Sequence, residues 1–301
     1  MTTGTTRSRL RLGSCPDSWG VWFPDDPAQT PWQRFLDELA QAGYRWLELG
    51  PYGYLPTDPA RLRDELDRRG LKVSGQAVFG GLHRRDQWAA DLEAARRVAA
   101  LVTALGAGFV ILLPQDVGPD APELDADGWR TLTGAYSQLG RVLREEFGVT
   151  AAFHPHADSL VGAQPTVERF LADTDPDSVA LCLDTGHIAY YDGDNLELLR
   201  KYPERIAYLH LKQADPAVLK QVREQRLGFA EAVRLGVMCE PPRGEPAVEP
   251  LLDTIDEVLD GDLFMIVEQD LYPCDPAVPL PIATRTCAYL RRLGVGGGAG
   301  A

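Results

Sequence analysis

Several features are missing from this sequence, and each absence removes a class of function. No apolar run reaches the roughly 18–20 residues that cross a bilayer. Residues 1–8 are polar and carry no apolar signal-peptide core, so the chain is expected to be cytoplasmic. Basic residues are the minority, 30 Lys and Arg against 44 Asp and Glu, giving a formal net charge of −14. Nucleic acid and anionic membrane both need a basic face, so neither is an expected partner. Cysteine is scarce. Cys15, Cys182, Cys239, Cys274 and Cys287 are odd in number, scattered, and without CxxC spacing. They read as reduced thiols, with Cys182, inside an apolar run, as a packed core thiol. A Gly-rich phosphate loop is absent too. Gly13-Ser-Cys-Pro-Asp-Ser18 does not resemble one, which counts against a doubly wound nucleotide-binding sheet.

What is present is an ordinary globular composition, 45% hydrophobic and 25% charged over 301 residues. Apolar strand-like runs fall at 9–13, 44–50, 71–79, 108–114, 149–156, 179–184, 206–212 and 263–270. Helical patterns separate them, including 57–70, 88–105, 127–147, 217–235 and 248–259, each long enough for a right-handed crossover. No composition shift marks an internal boundary. The pattern predicts a single-domain (β/α)8 TIM barrel over residues 9–293, with a disordered N-terminus at 1–8 and a flexible tail at 294–301.

The sixth run shows the design most plainly. The uncharged Leu181-Cys-Leu183 suits a strand covered on both faces, and it ends abruptly in Asp184, Thr185, Gly186 and His187. A carboxylate and an imidazole there must be paired, hydrogen-bonded or bound to a metal. Other strand ends repeat the theme: Glu48 on the second, His154 and His156 on the fifth, His210 and Lys212 on the seventh, Glu268 on the eighth. Of the five histidines only His83 lies elsewhere. A single histidine at a strand end is ordinarily a hydrogen-bonded core residue. Four at corresponding positions beside acids point to a metal, and TIM-barrel sites lie at this end of the strands. Residues two apart share a face, so His154 and His156 can converge, as can His210 and Lys212.

The predicted ligands are His154, Asp184, His210 and Glu268. This imidazole and carboxylate set suits Mn2+ or Co2+ first, then Zn2+ or Fe2+, ahead of Mg2+ and Ca2+, which prefer oxygen. Glu48 stays open between the site and a pair with Arg45. Lys212 reads as a substrate or carboxylate contact. Trp19 and Trp22 read equally as core packing or as a lid over an apolar ring face. The Pro/Gly-rich stretch 239–246 reads as a functional loop.

Four stretches, Cys15-Pro-Asp-Ser-Trp-Gly-Val-Trp22, Phe153-His-Pro-His156, Leu183-Asp-Thr-Gly-His-Ile-Ala-Tyr190 and Leu209-His-Leu-Lys212, resemble the sugar isomerase/epimerase family of xylose-isomerase-like TIM barrels. The resemblance runs over residues 9–290 and is strongest to the inosose (2-keto-myo-inositol) dehydratase branch. The last two stretches are common across the family, and the first two are more particular to that branch. The resemblance implies a metal-dependent hydro-lyase that dehydrates a cyclic polyol ketone through an enediolate. Its partner is a small polyol or sugar, and a homo-oligomer is compatible with it.

Family isomerases and epimerases usually bind their metal through Glu, Asp, His and Glu, and His154 matches the first position here. A two-base epimerase needs carboxylates on both substrate faces, whereas elimination needs one base and one acid. Glu268 or Glu48 is expected as the base, and His187, His156 or Lys212 as the general acid. Two alternatives stay open: a metal-dependent sugar or keto-sugar isomerase/epimerase, and a non-catalytic sugar-binding barrel. AP-endonuclease-like DNA repair shares the fold, but the acidic balance and the lack of a basic strip oppose it.

Overall fold

The eight expected strands pair in parallel and close on themselves in a computed structural model that describes residues 6–120 and 123–296. In chain order the strands are β1 (Leu10–Ser14), β2 (Trp46–Glu48), β3 (Lys72–Gly80), β4 (Phe109–Pro114), β5 (Thr150–Phe153), β6 (Val179–Asp184), β7 (Ile206–Leu211), β8 (Gln213–Ala214), β9 (Met238–Cys239) and β10 (Leu263–Val267). The barrel order is β1-β10-β7-β6-β5-β4-β3-β2, and β8 with β9 forms a separate antiparallel ribbon. The α-helices are α1 (Trp32–Ala42), α2 (Pro59–Asp67), α3 (Trp88–Ala104), α4 (Ala126–Phe147), α5 (Gln164–Asp173), α6 (Thr185–Tyr190), α7 (Asn195–Lys201), α8 (Pro216–Gln225), α9 (Phe229–Arg234), α10 (Val248–Val258) and α11 (Pro279–Arg292).

Alternation along the strands builds two layers of core. Outward residues such as Val110, Leu112, Leu181, Leu183, Leu209 and Met265 join the large cluster between barrel and helices. Inward residues fill the lumen: Ile111, Ala152, Cys182, Tyr208 and Ile266, with Phe109 and Phe264 packed against them. The lumen is tight. A Cβ on Gly13 would stand 2.6 Å from both Ile266 Cδ1 and Trp46 O, so β1 needs glycine there to pass its neighbours. Cys182 is a buried lumen thiol as expected, and all five cysteines are free.

Three differences from the sequence reading bear on the site. The fifth strand ends at Phe153, because Pro155 has no N–H to continue the ladder. His154 N still donates to Leu112 O at 3.0 Å. The last barrel strand likewise stops at Val267, with Glu268 N donating to Leu211 O at 3.1 Å. The helix expected over 217–235 is two helices. Arg226 turns left-handed (φ 51°) and Gly228 caps the restart, so that Phe229 N–H reaches Asp158 Oδ2 at 2.6 Å. These helices carry a small core of their own.

The termini are tied down where they are described. Arg7 pairs with Asp253 and Asp256 at 2.6 Å each, donates to Leu293 O at 2.7 Å, and bridges Val295. Arg7, placed by the sequence reading in the N-terminal segment, and Val295, placed in the tail, both make these contacts. The rest of those two segments, residues 1–5 and 297–301, lies outside the described residues.

Candidate metal centre

His154, Asp184, His210 and Glu268 each follow by two positions a lumen residue: Ala152, Cys182, Tyr208 and Ile266. Alternation therefore turns all four inward, one layer above the apolar plug. One ligand atom from each lies within 4.8 Å of all the others, and all four residues are buried. His154 Nε2 stands 3.2 Å from Asp184 Oδ2 and 3.8 Å from Glu268 Oε2. His210 Nδ1 stands 3.7 Å from Asp184 Oδ2 and 2.7 Å from Glu268 Oε2.

That last pair tests the metal. Despite their approach, neither His210 Nδ1 nor Glu268 Oε2 completes a hydrogen bond among the described residues, although Lys212 Nζ stands 3.1 Å from Oε2. Buried acceptors left in this state are costly unless something satisfies both. Two such atoms converging from different strands fit a cation, and two imidazoles with two carboxylates suit a transition metal.

The surroundings hold these groups in place. Glu48 Oε2 stands 2.9 Å from His210 Nε2 and can accept its proton, which in the neutral ring leaves the Nδ1 lone pair facing the cluster. Glu48 thus pairs with a candidate ligand histidine. Asp184 caps α6, Oδ1 accepting the N–H of His187 at 2.8 Å, while Oδ2 faces the cluster. Lys212 Nζ sits among Asp270 Oδ2 (2.9 Å), Glu268 Oε2 (3.1 Å) and Asp184 Oδ2 (3.3 Å). Burial is the strongest single influence on these groups and works against every charge. For Asp184 and Glu268 it is outweighed, first by Lys212, and both carboxyls lie well below their usual range. Burial would lower Lys212 likewise, but Asp184, Asp270 and Glu268 hold its ammonium well above the usual range.

Above the cluster lies a cavity of about 340 Å³, lined by acids, histidines and aromatics, among them Asp17, Glu48, His156, Asp270, Trp22 and Phe229. His156 Nδ1 donates to Ala157 O at 2.7 Å, leaving Nε2 as an acceptor. Burial, then the charges of His154 and Lys212, push this imidazole down to about 3. Asp17 stands opposite, on the loop after β1; β1 and β5 are four strands apart in either direction around the barrel. Burial, then Glu268 and Asp270, push the Asp17 carboxyl well above its usual range.

Not every expected site residue reaches this cavity. His187 and Lys212 are shut beneath it, 0% and 1% exposed, and neither lines it. Both nitrogens of His187 are occupied, Nδ1 by the Ala157 N–H at 3.1 Å and Nε2 by Lys212 Nζ at 3.1 Å. The paired reading of the tryptophans also divides. Trp19 is fully buried and donates to Glu38 Oε2 at 2.9 Å, whereas Trp22 stacks on Tyr272 (4.9 Å) and Phe229 (6.4 Å) at the cavity mouth. The stretch 239–246 pairs with β8 at Cys239 and Glu245 and does not line the cavity.

Asp17, Asp270 and Phe229 were missed by sequence reasoning. Asp270 had a signal: it follows Glu268 by two, as Lys212 follows His210. Asp17 lies in Cys15–Trp22, a stretch read for its resemblance, and Phe229 sits in a segment read as unbroken helix.

Comparison with known proteins agrees with this architecture. An inosose dehydratase of Clostridium perfringens is 26% identical over 298 residues, 94% of this chain and 97% of that protein. One from Salmonella agona is 29% identical over 248 residues, 79% and 81% of the two chains. Among solved structures, the IolI protein with a bound zinc atom superposes with a TM-score of 0.73 at 14% identity, over 95% of this chain and 98% of that one. L-ribulose 3-epimerase gives 0.69 at 17% identity, over 95% and 94%. The model of the xylose isomerase-like TIM barrel family matches residues 36–237, and the chain belongs to that family.

Proposed function

We propose that this protein is a metal-dependent hydro-lyase that removes water from a cyclic polyol ketone of the 2-keto-myo-inositol type. The supporting observation is the four-residue cluster under a cavity whose opposite walls carry an acceptor, His156 Nε2, and a carboxyl, Asp17. The names of relatives that span nearly the whole chain favour the same substrate. His154, Asp184, His210 and Glu268 would hold the ion, which when bound supplies the Lewis acidity that loosens a proton beside a ketone.

The chain's own residues do the rest. His156 Nε2 takes the proton from the carbon next to the carbonyl. Asp17 hands its proton to the hydroxyl leaving the neighbouring carbon, so a C–H and a C–O bond break and one water departs. Glu48 keeps the His210 ring in register. Trp22 and Phe229 cover the ring and exclude bulk water. His187 and Lys212, enclosed below, position Asp184 and Glu268 rather than touch substrate.

The test is to incubate protein loaded with Mn2+, Co2+ or Zn2+ with 2-keto-myo-inositol and follow the ultraviolet absorption of a conjugated dione. Absence of the dione with all three ions rejects the reading. Deuterium entering recovered substrate without loss of water selects an isomerase or epimerase instead.

A further inference from the structure

Six large apolar side chains stand exposed among the described residues, and Phe23, Tyr52 and Phe79 are three of them, at 49%, 37% and 54%. All three line a single groove of about 350 Å³. Scattered singly, such residues need no explanation, but gathered into one concave patch they mark a binding surface. The groove opens beside the metal cavity. Trp22, Phe23, Pro51, Ala77 and Phe79 line both. Beyond that shared wall it runs over Val78, Ala94 and Val98, between β3 and α3. Its one charged residue, Arg97, already donates to Glu93 at 2.8 Å.

The two compartments therefore differ in chemistry. The cavity offers carboxylates and imidazole, which hold hydroxyls. The groove offers aromatic faces and aliphatic stems, which hold a flat apolar group. The shared lining decides what the groove takes. Five residues border both spaces, so a group attached to a ring in the cavity lies within reach of the groove across that common rim.

We propose that the groove receives an aryl or similarly flat apolar substituent carried on the same ring that lies over His154, Asp184, His210 and Glu268, so that the substrate is a substituted ring. The proposal rests on the polyol-ketone reading and narrows its substrate class.

Calorimetry on the full chain loaded with Mn2+ tests it, using myo-inositol, the set of its mono-O-benzyl ethers, and benzyl alcohol as probes. At least one ether is expected to bind about tenfold or more tighter than myo-inositol. Benzyl alcohol alone is expected to bind more weakly than either. Ala94→Trp fills the groove and should remove the ether's advantage while leaving myo-inositol binding unchanged. Tyr52→Ala, at an exposed position outside the metal cavity, should reduce that advantage.

Equal binding of myo-inositol and every ether overturns the proposal and leaves the polyol reading standing. Binding of no polyol at all overturns both. Benzyl alcohol competing as well as the ethers would make the groove an independent apolar site. Loss of self-association in Tyr52→Ala with ether binding intact would assign the groove to a second copy of the chain. Either of these last two results overturns the proposal.

Discussion

His210 can offer Nδ1 to a metal only while its other nitrogen keeps a proton, and the Glu48 carboxylate 2.9 Å away favours that tautomer. Glu48→Ala is therefore expected to weaken metal binding by about 10–100-fold without unfolding the barrel. Glu48→Gln should lose less, since its amide oxygen still accepts. Competition against a fluorescent chelator reads both. Equal affinity in all three proteins would mean that the ring is held by packing alone.

His156 makes a prediction about pH. Its imidazole is pushed down to about 3 in the folded chain, mainly by burial, while an unfolded histidine titrates near ~6.5. Between those values the unfolded state binds the extra proton, so this group's contribution to stability is complete above the upper value and is lost as pH falls. Metal-free wild type should then lose stability relative to His156→Asn by at most about 1.4 kcal/mol per pH unit. Urea unfolding of both proteins near neutrality and about two units lower checks the sign.

At the scale of elements, the strand ends were legible because two simple signals coincide there. A buried apolar run gives the strand, and a period of two puts the residue after next on the same face, so Cys182 to Asp184 and Tyr208 to His210 could be read directly. The segment after β8 was not legible. Helical periodicity runs through 226–228, where Arg226 turns left-handed and Gly228 caps the restart, and a distant acceptor, Asp158, takes the Phe229 N–H on Oδ2 at 2.6 Å. Nothing local in the sequence announces that bond. It brings Phe229 over His156 and His187, with ring centroids 5.1 and 5.0 Å apart. Asp158→Ala removes this link between α9 and the loop after β5. Hydrogen exchange across α8 and α9 should quicken roughly tenfold, as expected for a lost bond of about 1–2 kcal/mol, while the barrel strands stay protected. Uniformly faster exchange would show that α8 and α9 do not open as a unit.

On the scale of the whole molecule, the four candidate ligands come from the ends of β5, β6, β7 and β10, which are consecutive in the closed sheet. An ion bound there ties half the barrel together at one point, and it binds the folded chain alone, since those segments are far apart in sequence. Mass action then gives about 2.7 kcal/mol of stability at a free metal concentration about 100 times the dissociation constant. For a chain of this size that is a rise in melting temperature of about 5 °C, reversed by a chelator. Asp184→Asn isolates the effect. Its amide oxygen still accepts the His187 N–H and keeps the α6 cap, but the charge facing the cluster is gone. The variant's own melting temperature is not the readout, because Lys212 also loses a partner. The readout is the shift on adding metal, which should nearly vanish in the variant and persist in Ala94→Trp, whose change lies outside the cluster. An equal shift in Asp184→Asn would place the ion elsewhere on this acidic chain.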